Sequence, residues 1–171
     1  MALEKYIKKF SKFRSDRNAN WPEASLGRSP YKPLLLLAVM DLFGQGQITT
    51  NLIQLTPDLG DIFHLYCSQV MPPDWRCNIA MPFFHLSREG FWQLRPLPGR
   101  EAVIASGRRL QSVSLLLDNV AGAALDEELQ SLMYVEKTRE VLRAVLVETY
   151  FDEATQKRLV AQGVVNADGF K

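Results

Sequence analysis

Ser29-Pro30-Tyr31-Lys32-Pro33-Leu34-Leu35-Leu36-Leu37 is the stretch whose reading decides the fold. Each proline fixes its own φ and biases the residue before it toward extended geometry, so Tyr31 and Lys32 are set on a stiff turn. The leucines open an apolar helix over 33–43 that must be buried, ended by Gly44 and Gly46. Its N-terminus carries unpaired N–H groups and partial positive charge, which suit an anion such as phosphate.

Upstream, Leu3, Ile7, Phe10 and Phe13 recur at helical spacing and predict an amphipathic helix over 2–14. Residues 15–29 are a polar loop anchored by Trp21. Downstream, Ile48 to Leu55 reads as an extended link or strand. Thr56-Pro57-Asp58 is a helix start, with Thr56 as the cap and proline at the first helical position, and the helix runs to about Val70. Residues 71–82 hold Pro72, Pro73, Trp75, Arg76, Asn78 and Pro82, a long loop of the kind that often carries function. Phe83 to Leu86 and Phe91 to Leu94 read as a β-hairpin around Ser87-Arg88-Glu89-Gly90, with Gly90 at positive φ. After a break at Pro96, Pro98 and Gly99, helices are expected at 110–119, 125–134, 136–150 and 154–162. The sum is a mainly helical α+β single domain, 1–171, with one small antiparallel β-hairpin. Its parts are a helical core (1–70), a recognition loop and hairpin (71–95), a loop (96–109) and C-terminal helices (110–162).

At 171 residues the chain can bury one sizeable core, and its 47% hydrophobic and 23% charged content is ordinary for a globular domain. It has neither an apolar run long enough for a bilayer nor a signal-peptide segment, so a cytoplasmic protein is expected. Cys67 and Cys77 match no zinc spacing and read as free thiols. Charge is polarised. Residues 1–33 carry eight basic against three acidic side chains, a net +5, and residues 115–171 carry six against ten, a net −4. A basic end of this kind can hold a polyanion. Lys5, Lys8, Lys9 and Lys12 read equally as the wet face of the first helix.

The motifs of a P-loop, a Rossmann fingerprint, a zinc-protease helix and a Gly-x-Ser-x-Gly elbow are absent. The two histidines, His64 and His85, are too few for a His-Asn-His metal nuclease. No cofactor or metal is expected, and the chain reads as a binder with no catalytic role. The polar groups that could read DNA sit in loops. Arg28, Ser29 and Lys32 flank the proline turn, Arg76 and Asn78 lie in the long loop, and Arg108 and Arg109 follow Gly107. Arginine pairs with guanine edges, asparagine with adenine, and either cation neutralises phosphate. Arg88, Arg95 and Arg100 read as surface solubilisers.

Pro30-Tyr31-Lys32-Pro33-Leu34-Leu35-Leu36-Leu37, then Met81-Pro82-Phe83-Phe84-His85-Leu86, then Glu89-Gly90-Phe91-Trp92-Gln93-Leu94 together resemble the DNA sulfur-binding domain of McrA-type phosphorothioate-dependent restriction enzymes. The likeness covers roughly residues 1–155. It implies a reader of double-stranded DNA in which one non-bridging phosphate oxygen is sulfur, the targeting module of a modification-dependent restriction system. A nuclease would be fused or separate, and a homodimer is compatible. By resemblance the sulfur pocket falls on Tyr31, Lys32, Met81, Pro82 and His85. A base-reading arginine falls on Arg108 or Arg109. Tyr31 stands where the family commonly has His, and Met81 where it commonly has Tyr. Two other readings stand beside this one. One is a protein-interaction module with Trp21, Met71 and Trp75 as contacts. The other is a Cys-dependent enzyme using Cys67 or Cys77 with His64 or His85.

Overall fold

Pro33 to Phe43 are buried without a break, on every face of the helix they form. In the computed structural model, which describes residues 1–170, the rest of the chain wraps this helix. Helix α1 is Ala2–Phe10, and the central helix α2 is Tyr31–Gly44. They are followed by α3 (Pro57–Ser68), α4 (Ala80–His85), β1 (Trp92–Pro96), α5 (Glu101–Ala105) and α6 (Val113–Asn119). The chain then forms β2 (Val120–Leu125), α7 (Glu127–Tyr134), α8 (Glu136–Tyr150) and α9 (Glu153–Phe170). The fold is mainly helical α+β, with a two-stranded antiparallel sheet. Among the described residues no helix is long and apolar enough to cross a membrane.

Several helix ends follow directly from side-chain chemistry. The Thr56 hydroxyl accepts the Leu59 N–H at 3.2 Å and Pro57 fills the first helical position, as the sequence predicts. Helix α1 stops at Phe10, short of the expected residue 14. There the buried Tyr150 hydroxyl donates to the Phe10 carbonyl (2.6 Å) and accepts the Phe13 N–H (2.9 Å). Helix α2 begins at Tyr31, two residues early, so Lys32 is helical although a proline follows it. Proline at the third helical position loses no intrahelical bond, and burial of the leucines overrides the local preference of Lys32.

The sheet differs from expectation. Phe83 to Leu86 are not a strand. Residues 80–85 are α4, and Leu86–Glu89 continue as a 3₁₀ turn. Ile79, Pro82, Phe83 and Leu86 are buried at spacings of three and four, which is helical periodicity. Asn78 also closes the helix start, its side chain accepting the Ala80 N–H at 3.1 Å. Gly90 does adopt positive φ, +89°, but it ends the turn and does not make a hairpin. The partner of β1 is β2, with Trp92 opposite Leu125 and Leu94 opposite Ala123. Loop 96–109 contains α5, and the C-terminal helix runs past 162 to Phe170.

Strand β2, Val-Ala-Gly-Ala-Ala-Leu, carries little β-branched signal because it is packed on both sides by close backbone. Ile53 pairs with Ala123 through N–H···O bonds of 2.7 and 2.9 Å. A Cβ on Gly122 (φ +157°) would lie 2.5 Å from the Ile53 carbonyl oxygen. Glycine therefore permits the three-segment contact. Gly122→Ala is expected to destabilise the fold by about 2–4 kcal/mol in urea unfolding, since the obstructing atom is backbone. A change below about 0.5 kcal/mol would show that the link and strand can part freely.

Candidate functional site

The first turn of α2, the first turn of α4 and the segment just after α1 meet in an open cleft of about 440 Å³. Tyr31, Lys32, Met81, Pro82 and His85 all line it, so residues fifty positions apart form one wall. Ser29 lines it too, fixed by its N–H donating to the Asp16 carbonyl at 2.9 Å. Proline at the third position of α4 loses no helix bond, which leaves its ring available as apolar wall.

The aromatic side of the cleft is rigid. The Tyr31 hydroxyl accepts from the Trp75 indole N–H (2.6 Å) and donates to the Arg76 carbonyl (3.2 Å). Its ring meets Trp21 edge to face at 5.4 Å, and Trp21 packs on Trp75 at 5.4 Å. Trp21 is in turn held by its indole N–H donating to Asp16 (2.9 Å). Burial pushes the Tyr31 phenol up to about 12, so it stays neutral.

Lys32 is a cation without a free head. Its Nζ donates to Glu89 Oε2 at 2.5 Å and to the Arg14 carbonyl at 2.7 Å, and the same Glu89 oxygen accepts the Arg14 N–H at 3.1 Å. The two side chains are only 11% and 9% exposed. What Lys32 offers the cleft is mainly its methylene stem. His85, by contrast, is neutral. Desolvation, helped by the charges of Arg88, Lys32 and Arg109, holds the imidazole down at about 4. The Gln111 amide nitrogen lies 2.9 Å from its Nε2, so Nε2 accepts and the ring proton sits on Nδ1.

Arg14, Ser15, Asp16, Trp21 and Arg88 also line the cleft, and none was assigned to it from the sequence. Arg88, read there as a solubiliser, is an exposed rim cation. The false hairpin hid it. In the helical register of residues 80–88 it follows His85 by three. No sequence signal ties Arg14 to Ser15 to Asp16, because only tertiary packing brings them in. The Ser15 hydroxyl is buried and has no hydrogen-bond partner among the described residues.

The DNA-reading candidates divide. Arg108 and Arg109 are exposed, and Arg109 stands near enough for its charge to act on His85. Arg76 is exposed beside Tyr31. Asn78 spends its side chain on the loop itself, capping Ala80 and donating to the Gln111 carbonyl at 3.0 Å. Arg28 faces inward, away from the cleft. Its guanidinium lies over the Tyr150 ring at 4.4 Å and donates to the Thr149 carbonyl at 2.8 Å.

Of the three suggested partner contacts, Met71 is buried, Trp21 is half-buried against Trp75, and Trp75 is exposed. Burial pushes the Cys67 thiol up, away from the thiolate that a nucleophile requires, while the half-buried Cys77 thiol, hydrogen-bonded with Cys67, is held below its ordinary value. A second cleft of about 430 Å³ lies toward the other end of α2. Its buried charge is already paired, with Arg143 donating to Asp41 at 2.7 Å and Tyr66 and Asn166 also donating to Asp41.

Fold and cleft together define a surface module whose wall is largely apolar, with Lys32 ion-paired and His85 neutral, and whose rim carries the Arg14 and Arg88 cations as well as the Asp16 carboxylate. The model of the ScoMcrA-like DNA sulfur-binding domain family matches residues 4–165, and the chain belongs to that family. No individual curated protein matches the chain.

The neutral His85 makes stability depend on pH. Its folded-state value, about 4, lies below its ordinary 6.5, so between those values the unfolded chain binds more protons. The contribution is complete above about pH 6.5 and is lost as pH falls toward 4. His85→Gln should remove about 1 kcal/mol of that acid slope in urea unfolding, a figure reduced because the ring is partly exposed and screened. Parallel pH profiles for the two proteins would place His85 in a solvated, charged state.

Proposed function

We propose that this chain binds double-stranded DNA carrying a backbone phosphorothioate and seats the sulfur against Tyr31, the Lys32 stem, Met81, Pro82 and His85. The observation that carries the reading is the cleft wall itself. Five side chains from two distant segments converge there, and the two basic ones, Lys32 and His85, are held paired or neutral. Membership of the DNA sulfur-binding domain family supports the substrate class.

The selectivity is a desolvation effect. A phosphate oxygen concentrates its charge and holds water tightly, so pressing it on carbon surface is costly. Sulfur is larger and more polarizable, is more weakly hydrated and tolerates ring and methylene contacts. The wall thus selects sulfur by penalising oxygen. The cleft is chiral, so one phosphorus configuration points its sulfur inward. Ser15 Oγ offers a hydrogen bond to the remaining phosphate oxygen. Arg14 and Arg88 on the rim supply a sequence-independent grip that weakens with salt, and Arg108 or Arg109 contacts bases.

On this reading the chain is a non-catalytic targeting module of a cytoplasmic, modification-dependent restriction system. The nuclease is either fused or separate.

The test is a titration of one short duplex with and without a single stereo-defined sulfur, at two salt concentrations. A preference of ~2–3 kcal/mol, about thirty- to a hundred-and-fiftyfold, is expected for one stereoisomer, with both affinities falling as salt rises. Pro82→Ala should weaken the modified duplex about tenfold and the unmodified one less than about twofold, ~1.4 kcal/mol against near zero. Equal binding of matched duplexes by the unaltered protein would overturn the reading.

A further inference from the structure

The lysine in the cleft wall poses a problem that the wall chemistry alone does not solve. A free ammonium attracts any phosphate. It also favours oxygen over sulfur, because charge-assisted N⁺–H···O⁻ bonds are the shorter and stronger ones. Left unpaired, Lys32 would raise affinity for ordinary DNA and erode the discrimination the apolar wall creates.

We infer that Glu89 is the selectivity-setting residue of this cleft, acting from behind Lys32 without touching the ligand. This inference rests on the sulfur-reading function proposed above. Glu89 does not line the cleft. Its Oε2 lies 2.5 Å from Lys32 Nζ and 3.1 Å from the Arg14 nitrogen, and the Arg14 carbonyl takes a second lysine proton at 2.7 Å. Three segments are joined at one carboxylate oxygen: the start of α2, the 3₁₀ turn before β1 and the strand of chain leaving α1. The pair is about nine-tenths buried, where charges are weakly screened and an ion pair holds its geometry. The carboxylate cancels the ammonium charge and turns it away from the ligand, leaving the methylenes in the wall. Glu89 is thus a positioning residue that converts a phosphate-attracting lysine into apolar surface.

The test compares four full-length proteins on the matched duplexes: unaltered, Glu89→Gln, Glu89→Gln with Lys32→Met, and Glu148→Gln. The last makes the same charge change at an exposed position on α8. Glu89→Gln should raise affinity for the unmodified duplex about tenfold and for the sulfur duplex no more than about threefold, so the ratio falls at least about threefold. The double variant, a neutral pair of similar shape, should restore the ratio to within about twofold of the unaltered protein. Glu148→Gln should leave the ratio unchanged. A merely structural role for Glu89 would not produce the restoration. The inference is overturned if Glu89→Gln keeps the unaltered ratio, if it raises both affinities by one factor, or if the double variant stays unselective. Should Glu89→Gln not fold, the double variant still decides, because its loss of discrimination would show that the charged pair itself recognises sulfur. An unaltered protein that binds both duplexes alike would instead sink the sulfur-reading function, an outcome distinct from a discriminating protein that is indifferent to Glu89.

Discussion

Complete burial of α2 is the constraint on which everything else depends. An apolar helix with no wet face must be enclosed, so α3, α4, α7, α8 and α9 are all packed against it. A helix enclosed on all sides cannot rotate or slide without breaking core contacts, since protein interiors are close-packed. Its first turn is therefore rigidly placed. Tyr31 and Lys32 stand on that turn, and α4, packed on the same helix, delivers Met81, Pro82 and His85 opposite them. The cleft is a by-product of how the core closes at one end of α2.

Toward its C-terminal end the helix carries a buried acidic side chain, and the fold satisfies it by a network. Asp41, 7% exposed, accepts from Tyr66 on α3, Arg143 on α8 and Asn166 on α9. These bonds couple the four helices at the end of α2 remote from the cleft. At the other end Glu89 gathers Lys32 and the chain after α1. Both ends of the central helix are thus fixed by a carboxylate that accepts several bonds. Breaking either pair by removing one partner would strand a buried charge, which costs far more than the intact pair contributes.

What could be read from the sequence was the local and strongly periodic part. The α2 run, the Thr56 cap with Pro57 and the positive φ of Gly90 each follow from rules that span only a few residues. The sheet did not follow, for two separate reasons. Met81-Pro82-Phe83-Phe84 contains aromatic residues that favour strands, but the Asn78 side chain accepts the first N–H of a helix there and the burial spacing is helical. Strand β2 is held by Ile53 and β1, partners from distant segments, and its small side chains give no local strand signal. The site divided the same way. The motifs contained the five wall residues, but Arg14 and Ser15 reach the cleft by tertiary packing alone. Arg28 and Asn78 have the chemistry of DNA readers, yet Tyr150, Thr149, Ala80 and Gln111 engage them.

On the function proposed above, the placement of charge would separate affinity from selectivity. The cations on and near the cleft fall into two groups by the freedom of their heads. Arg14, Arg88, Arg108 and Arg109 are exposed and can follow a phosphate backbone. Lys32 and His85 lie in the wall, one ion-paired and the other neutral. In the proposed function, long-range attraction, screened over about 10 Å at ordinary salt, would come from the exposed group and treat oxygen and sulfur alike. Short-range contact would come from the wall, where a desolvated oxygen would find no free charge to replace its water. Such a site could bind a polyanion and still reject the common form of its phosphate, provided the charges that attract are not the groups that touch.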